Sequence, residues 1–206
     1  AEKTVYEQLG EYHILINGAG GNNICGSTSS ERYRESDIDD PDVQSFFDIT
    51  AEGFNRVLSL NLTGTFIPSQ VFLRRLVKVP NPTIINISSM SSFVPLTKGC
   101  AYGAAKSGIN SLTQFMAVHF RDTGIRVNAI APGWFVTHQN RKNMVNPDGS
   151  LTERSKRVID NTPLGRMGVP DDLVGLLLFL CDETASGYIN GVVIPVDGGF
   201  MATSVV

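Results

Sequence analysis

Cysteine is scarce in this chain. The 206 residues hold three, Cys25, Cys100 and Cys181, with no C-x-x-C pair among them. An odd and widely spaced set argues against a disulfide framework or a zinc site, so no metal is expected. Reduced thiols in a cytoplasmic protein are the expectation. Basic residues are outnumbered, 17 Lys and Arg against 20 Asp and Glu, for a formal net charge of −3. A nucleic-acid-binding domain would usually carry a basic footprint, so no nucleic-acid partner is expected. Long apolar runs are also missing. The best, residues 173–181, is interrupted by Gly175 and falls well short of the ~18 residues that span a bilayer. The first residues, Ala1-Glu2-Lys3-Thr4, lack the basic and apolar regions of a secretory leader.

What is present is ordinary globular composition, 42% hydrophobic and 18% charged. One domain over residues 1–206 is the economical reading. Four short apolar runs, 12–17 (YHILIN), 83–88 (TIINIS), 125–131 (IRVNAIA) and 192–196, show no polar alternation. Such runs suit strands buried on both faces. Helical spacing fills the intervals at 2–9, 51–77, 101–121, 152–160 and 171–180. Gly64 and Pro68 fall inside the 51–77 segment and predict a bend there. Residues 35–52 carry seven acids and no base, and read as a solvated, partly irregular stretch. The alternation of strand and helix predicts an α/β, doubly wound parallel sheet covered on both faces.

Tyr102 and Lys106 stand four apart near the start of a helix, which puts their side chains on one face. A free tyrosine titrates near 10, too high for efficient proton transfer at neutral pH. A neighbouring ammonium favours the phenolate and is expected to lower that value. The pair alone is weak, because a solvated helix-surface pair looks the same. Its context is stronger. In parallel sheets, ligands bind beyond the carboxyl ends of the strands. Three of these ends carry polar or glycine-rich sequence: Asn17-Gly18-Ala19-Gly20, Ser88-Ser89 and Pro132-Gly133.

On these residues the chain resembles the short-chain dehydrogenase/reductases, an NAD(P)-dependent family with a Rossmann-like fold. Asn17-Gly18-Ala19-Gly20 is similar to the family's N-[NS]-A-G motif. Asn61 matches its helix asparagine, and Ser89 precedes Tyr102 by 13 residues as the family's serine does. Tyr102-Gly103-Ala104-Ala105-Lys106 matches Y-x-x-x-K, and Pro132-Gly133-Trp134-Phe135-Val136-Thr137 matches P-G-x-x-x-T. The resemblance implies that Tyr102 is the general acid and that Ser89 binds the substrate oxygen. It implies that Lys106 tunes Tyr102 and bonds the nicotinamide ribose, while Asn61 holds a water that links Lys106 to solvent. Asn17, Gly18, Ala19 and Gly20 would lie against the adenosine half of the cofactor. Pro132, Gly133, Phe135 and Thr137 would face the carboxamide. The cofactor is NAD or NADP, since the residue that reads the 2′ position is not identifiable here.

The family's G-x-G-x-x-G phosphate turn has no match in these residues. By the family's order, the chain starts in the helix before the fourth strand. The N-terminal βαβ portion, roughly 60–80 residues at ordinary βα-unit length, is therefore expected to belong to a longer chain.

Residues 134–165 correspond to the family's variable substrate lid. Thr137-His138-Gln139-Asn140-Arg141-Lys142-Asn143 offers two cations, an imidazole and several amides. That composition suits a small, hydroxylated, anionic substrate, with Arg141 or Lys142 holding a carboxylate. Surface cations that merely face solvent would read the same way. Gly20-Gly21-Asn22-Asn23, Ser88-Ser89-Met90 and residues 135–141 resemble the D-mannonate oxidoreductase (D-fructuronate reductase) branch. That resemblance implies a sugar-acid partner, with Asn22, Met90 and Gln139 on the substrate side. The alternatives are a gluconate 5-dehydrogenase, a 3-oxoacyl thioester reductase and a non-catalytic relative. A homodimer or homotetramer is expected, because Phe66, Phe72, Phe115 and Met116 on helices 51–77 and 101–121 cannot all face one sheet.

Overall fold

The computed structural model describes residues 1–137 and 140–203, with Lys142 described by its backbone alone. Four strands form one parallel sheet: β1 (Ile14–Asn17), β2 (Thr83–Ile87), β3 (Arg126–Pro132) and β4 (Val193–Val196), ordered β1-β2-β3-β4. The helices are α1 (Glu2–Leu9), α2 (Ala51–Leu58), α3 (Gly64–Leu76), α4 (Cys100–His119), α5 (Arg141–Met144), α6 (Glu153–Asp160), α7 (Asp171–Cys181) and α8 (Glu183–Ser186). The architecture is the expected Rossmann-like α/β fold, although α8 carries no apolar periodicity that would announce it.

The alternation of side chains along each strand divides the core in two. On one face Ile84 and Val127 pack with Leu73 and Leu76 of α3 and with Met116 and Ala117 of α4. On the other, Ile85 and Ile130 pack with Leu173, Leu176, Leu177 and Leu180 of α7. The first two crossovers therefore run over one face and the third over the opposite face, while the strands advance in one direction. The β3-to-β4 crossover thus has the opposite hand to the first two, an exception to the usual preference. On the α7 face β1 is uncovered, and Ile14 and Ile16 are 43% and 46% exposed.

The expected bend in residues 51–77 takes the form of a π-helical turn, Ser59–Thr63, between α2 and α3. Pro68 lies inside α3 one turn later. Such π turns recur at functional sites. The expected apolar run of β3 conceals a buried cation. Arg126 donates to the carbonyls of Leu180 and Ser186 and to Thr83 Oγ1, at 2.9, 3.3 and 2.8 Å. It closes the C-terminal ends of α7 and α8, where carbonyl groups would otherwise lack donors. Among the described residues no helix is long and apolar enough to cross a membrane.

The register brings the ends of the strands together. Asn17 pairs with Asn86, Ile87 with Ile130 and Pro132 with Val196. The segments that follow each strand consequently leave the sheet along one edge, which is where the site lies.

Candidate active site

Two buried asparagines anchor this edge. Asn17 Nδ2 donates to Asn86 Oδ1 at 2.8 Å and to Ser69 Oγ on α3 at 2.9 Å. Asn86 Nδ2 donates to Thr113 Oγ1 on α4 at 2.8 Å. The network ties β1 and β2 to both covering helices. The Asn17 side chain belongs to this interior network and is not among the residues that line the cavity described below.

Asn61 occupies the π turn and is fully buried. Its Nδ2 donates to the Gly21 carbonyl at 2.7 Å and the Val57 carbonyl at 2.9 Å, while Oδ1 accepts from the Gly21 N–H at 3.1 Å. Both amide donors are thus committed to the chain itself, and the visible work of Asn61 is to clamp the Gly20-Gly21 turn. A Cβ on Gly20 would sit 2.6 Å from Asn61 Oδ1 and 3.3 Å from Lys106 Nζ. Glycine is required there by close approach.

Tyr102 and Lys106 lie in the first turns of α4, both largely buried. Lys106 Nζ donates to the Ile87 carbonyl at the end of β2, at 2.8 Å, and lies 5.5 Å from the centroid of the Tyr102 ring. Ser89 follows β2 and caps the short turn Met90–Ser92, its Oγ accepting from the Ser91 N–H at 3.2 Å. Burial holds the Tyr102 phenol above its ordinary value, and the Ser89 hydroxyl pulls it partly back. Burial brings the Lys106 ammonium down to about 8. The expected lowering of Tyr102 by Lys106 is therefore not what this arrangement produces. The ammonium is turned toward a backbone carbonyl, and the cost of burying a phenolate dominates. The Tyr102 hydroxyl therefore keeps its proton at neutral pH.

These groups open onto a cavity of about 1030 Å³. Its walls include Gly18, Gly20, Ser89, Met90, Tyr102, Lys106, Pro132, Gly133, Phe135 and Thr137, together with Asn22. The structure thus brings most of the expected residues to one place. Four expected residues do not line it. Asn17 and Asn61 stand behind the wall, and Ala19 is exposed beside it. Arg141, expected to face the substrate, is exposed at the start of α5 and is not part of the wall. Gln139 lies outside the described residues, as does His138.

The cavity also collects residues that the sequence did not single out. Trp134 Nε1 and Ser91 Oγ are buried at its wall without a hydrogen-bond partner among the described residues. Glu31 and Arg154 line it as well, joined at 3.3 Å. Trp134 had one signal, its position directly after Pro132-Gly133. Glu31 and Arg154 had none, being 123 residues apart.

Comparison with known proteins places this geometry. The family described as enoyl-(acyl carrier protein) reductase, of the short-chain alcohol dehydrogenase type, matches residues 3–201. An uncharacterized oxidoreductase of Bacillus subtilis strain 168, UxuB, is 51% identical over 204 residues, covering 99% of this chain and 72% of that protein. The NAD-bound crystal structure of a candidate D-mannonate oxidoreductase from Haemophilus influenza superimposes with a TM-score of 0.93 at 44% identity, covering 100% of this chain and 72% of the other. A gluconate 5-dehydrogenase from Burkholderia cenocepacia J2315, in complex with NADP and tartrate, gives 0.78 at 28% identity, covering 99% and 70%. The chain belongs to the short-chain dehydrogenase/reductase family of NAD(P)-dependent oxidoreductases, enzymes that act on CH–OH groups.

The residues present fit the reactive half of a nicotinamide dinucleotide. The cavity volume is at the upper end of the range for ligand sites. An added Cβ on Gly18 would meet nothing nearer than 4.0 Å, so space stands open above that turn. The unpartnered Trp134 Nε1 and Ser91 Oγ supply polar contacts that the chain itself does not use.

Proposed function

We propose that this protein transfers a hydride reversibly between NAD or NADP and a sugar acid, with D-fructuronate as the ketone and D-mannonate as the alcohol. The observation that carries this reading is the placement of Ser89, Tyr102 and Lys106 on the wall of a cavity that is also lined by Thr137, Asn140 and the braced guanidinium of Arg154. In the reducing direction, the Ser89 hydroxyl donates to the carbonyl oxygen and stabilises the charge that develops there. Tyr102 gives its phenolic proton to the same oxygen, completing the alcohol. Lys106 keeps a positive charge beside the phenolate that this leaves behind, and its remaining N–H donors reach the nicotinamide ribose. When bound, the nicotinamide supplies the hydride for the carbonyl carbon.

The other residues position these groups. Asn61 holds the Gly21 peptide and with it the Gly18–Asn22 turn, against which the adenosine half lies. Pro132, Gly133, Phe135 and Thr137 face the carboxamide. Asn22 and Met90 lie on the substrate side, and Gln139 belongs to the lid above. The exposed Phe66 and Phe115, on the outer faces of α3 and α4, form the contact surface of a homodimer or homotetramer. Phe72 and Met116 on the same helices pack inward.

The test is oxidation of NADH or NADPH by the full-length protein with D-fructuronate. Turnover that depends on Tyr102 is expected. Turnover of a neutral ketose with none of any uronate would overturn the substrate, and activity that survives Tyr102→Phe would overturn the chemistry.

A further inference from the structure

We propose that Arg154 is the residue that recognises the substrate's carboxylate, and so sets the preference for sugar acids over neutral sugars. This deepens the proposed function and rests on its sugar-acid substrate. Arg154 is the second residue of α6 and lines the cavity that Ser89, Tyr102 and Lys106 open onto. Its side chain is three-quarters buried. The guanidinium lies 5.3 Å from the centroid of the Trp134 ring. Such stacking holds the plane of the cation without using its N–H donors. Nη1 donates to Glu31 Oε1 at 3.3 Å, and its other N–H groups have no acceptor among the described residues.

Glu31 does not neutralise this cation, because it is shared. Arg157, one turn away on α6, donates from Nη2 to the same Oε1 at 3.0 Å. Two guanidiniums against one carboxylate leave the group with a net charge of +1. Arg157 makes the shorter bond, so the pair Glu31–Arg157 orients Arg154 and leaves its positive charge available to a ligand. The planar fork of Arg suits a carboxylate held by two parallel hydrogen bonds. Lys98 also lines the cavity, but it is exposed and carries a point charge on a flexible stem.

Two measurements on the full-length protein test this. The first is the kinetics of D-fructuronate reduction by Arg154→Gln and Arg154→Lys. The second needs no catalysis: titration of Trp134 fluorescence with D-mannonate and with D-mannitol, which has a hydroxymethyl in place of the carboxylate. Trp134 is the one tryptophan of the 206 residues, and Trp134→Phe assigns the signal. Arg154→Gln is expected to raise KM for D-fructuronate about 10–100-fold, the range for loss of a hydrogen-bonded charge, with kcat within about threefold. Arg154→Lys recovers part of the loss. The wild-type fluorescence responds to D-mannonate far below the concentration of D-mannitol needed, and Arg154→Gln abolishes that difference.

Wild-type turnover of D-fructuronate with an unchanged KM in Arg154→Gln would overturn this inference and leave the proposed function standing. No turnover of any uronate, with an Arg154-dependent fluorescence response to D-mannonate, would overturn the substrate and support the anion site. Equal losses toward D-mannonate and D-mannitol would also overturn it, since they would show a packing role. Neither turnover nor response would overturn both.

Discussion

The two walls of the cavity are built differently. The wall that holds Ser89, Tyr102 and Lys106 is made of strand ends and the first turns of α4, and the side chains behind it are buried. Asn17, Asn86, Thr113 and Ser69 link strand to helix there, and Asn61 clamps the glycine turn. The second wall, from Trp134 to Arg154, is held largely by local bonds. Asn140 donates to the Phe135 carbonyl, Thr152 Oγ1 to the Asn143 carbonyl and Ser155 Oγ to the Met144 carbonyl. Its ties to distant segments include the Trp134 carbonyl, which accepts from the Gly168 N–H at 2.8 Å, and the ion pairs of Arg154 and Arg157 with Glu31. A buried, satisfied network positions groups within the tolerance that proton transfer needs, whereas short-range bonds and surface charge can vary without unfolding the sheet. Under the proposed function, the reaction falls to the first wall and the choice of substrate to the second.

Breaking the first wall has the largest expected effect. Tyr102→Phe keeps the ring and its packing but removes the proton donor. A loss of about 10²–10⁴-fold in kcat is expected, the usual contribution of a positioned acid, with an unchanged near-ultraviolet circular dichroism spectrum as the check on folding. Asn61→Ala comes next. It strips partners from both Gly21 backbone groups and the Val57 carbonyl, and each buried group left unpaired costs about 1–3 kcal/mol. The urea midpoint should fall accordingly, and activity should fall with it if the Gly20-Gly21 turn is lost.

The third prediction concerns Lys106, whose ammonium is held down to about 8 from an ordinary 10.5 by burial. In the active site, the positive charge beside the Tyr102 phenolate is lost as pH rises through about 8. The reduction rate should decline above that point in the wild type. For stability the sign is opposite. The folded state binds this proton more weakly than the unfolded state, so burial of the charge weakens the fold below about 8 and that penalty is relieved between about 8 and 10.5. Urea midpoints across that window should rise relative to those of Lys106→Met, which lacks the group. Equal pH dependence in both proteins would show that the ammonium is not buried.

The smallest effect belongs to the second wall. Glu31→Gln removes the charged tie between the 24–50 segment and α6 and should weaken the fold by only about 0.2–1 kcal/mol, as expected of an ion pair whose carboxylate is solvent-accessible. Faster amide exchange in α6, with no change in the exchange of α4, would sharpen the contrast between the walls. Equal acceleration in both would erase it.

The residues of the first wall were legible in the sequence because their relations are local. Tyr102 and Lys106 share a helix face by spacing alone, and short, mostly apolar runs identify β2 and β3. The order of strand ends followed from the βα alternation. The partners of Asn17 and Asn61 were not legible, since neither a glycine-rich motif nor a helix bend says which side chain turns inward. Parity along β1 sends Asn17 into the interior, where Asn86 and Ser69 meet it. Arg141 and Arg154 show the same limit on the second wall. Both are cations in a polar stretch, and only the path of the chain after Pro132-Gly133 puts one in solvent and the other over Trp134.

The sequence by itself determined the parallel α/β architecture, the placement of Tyr102 and Lys106 on one helix face and the strand ends that converge, because periodicity and helix spacing act over a few residues. The direction of the Tyr102 titration, the partner of Lys106, the opposite hand of the last crossover and the seating of Arg154 beside Glu31 were decided by tertiary structure. Each depends on burial or on contact between segments far apart in the chain, and neither of those quantities exists until the sheet and its helices have closed around the site.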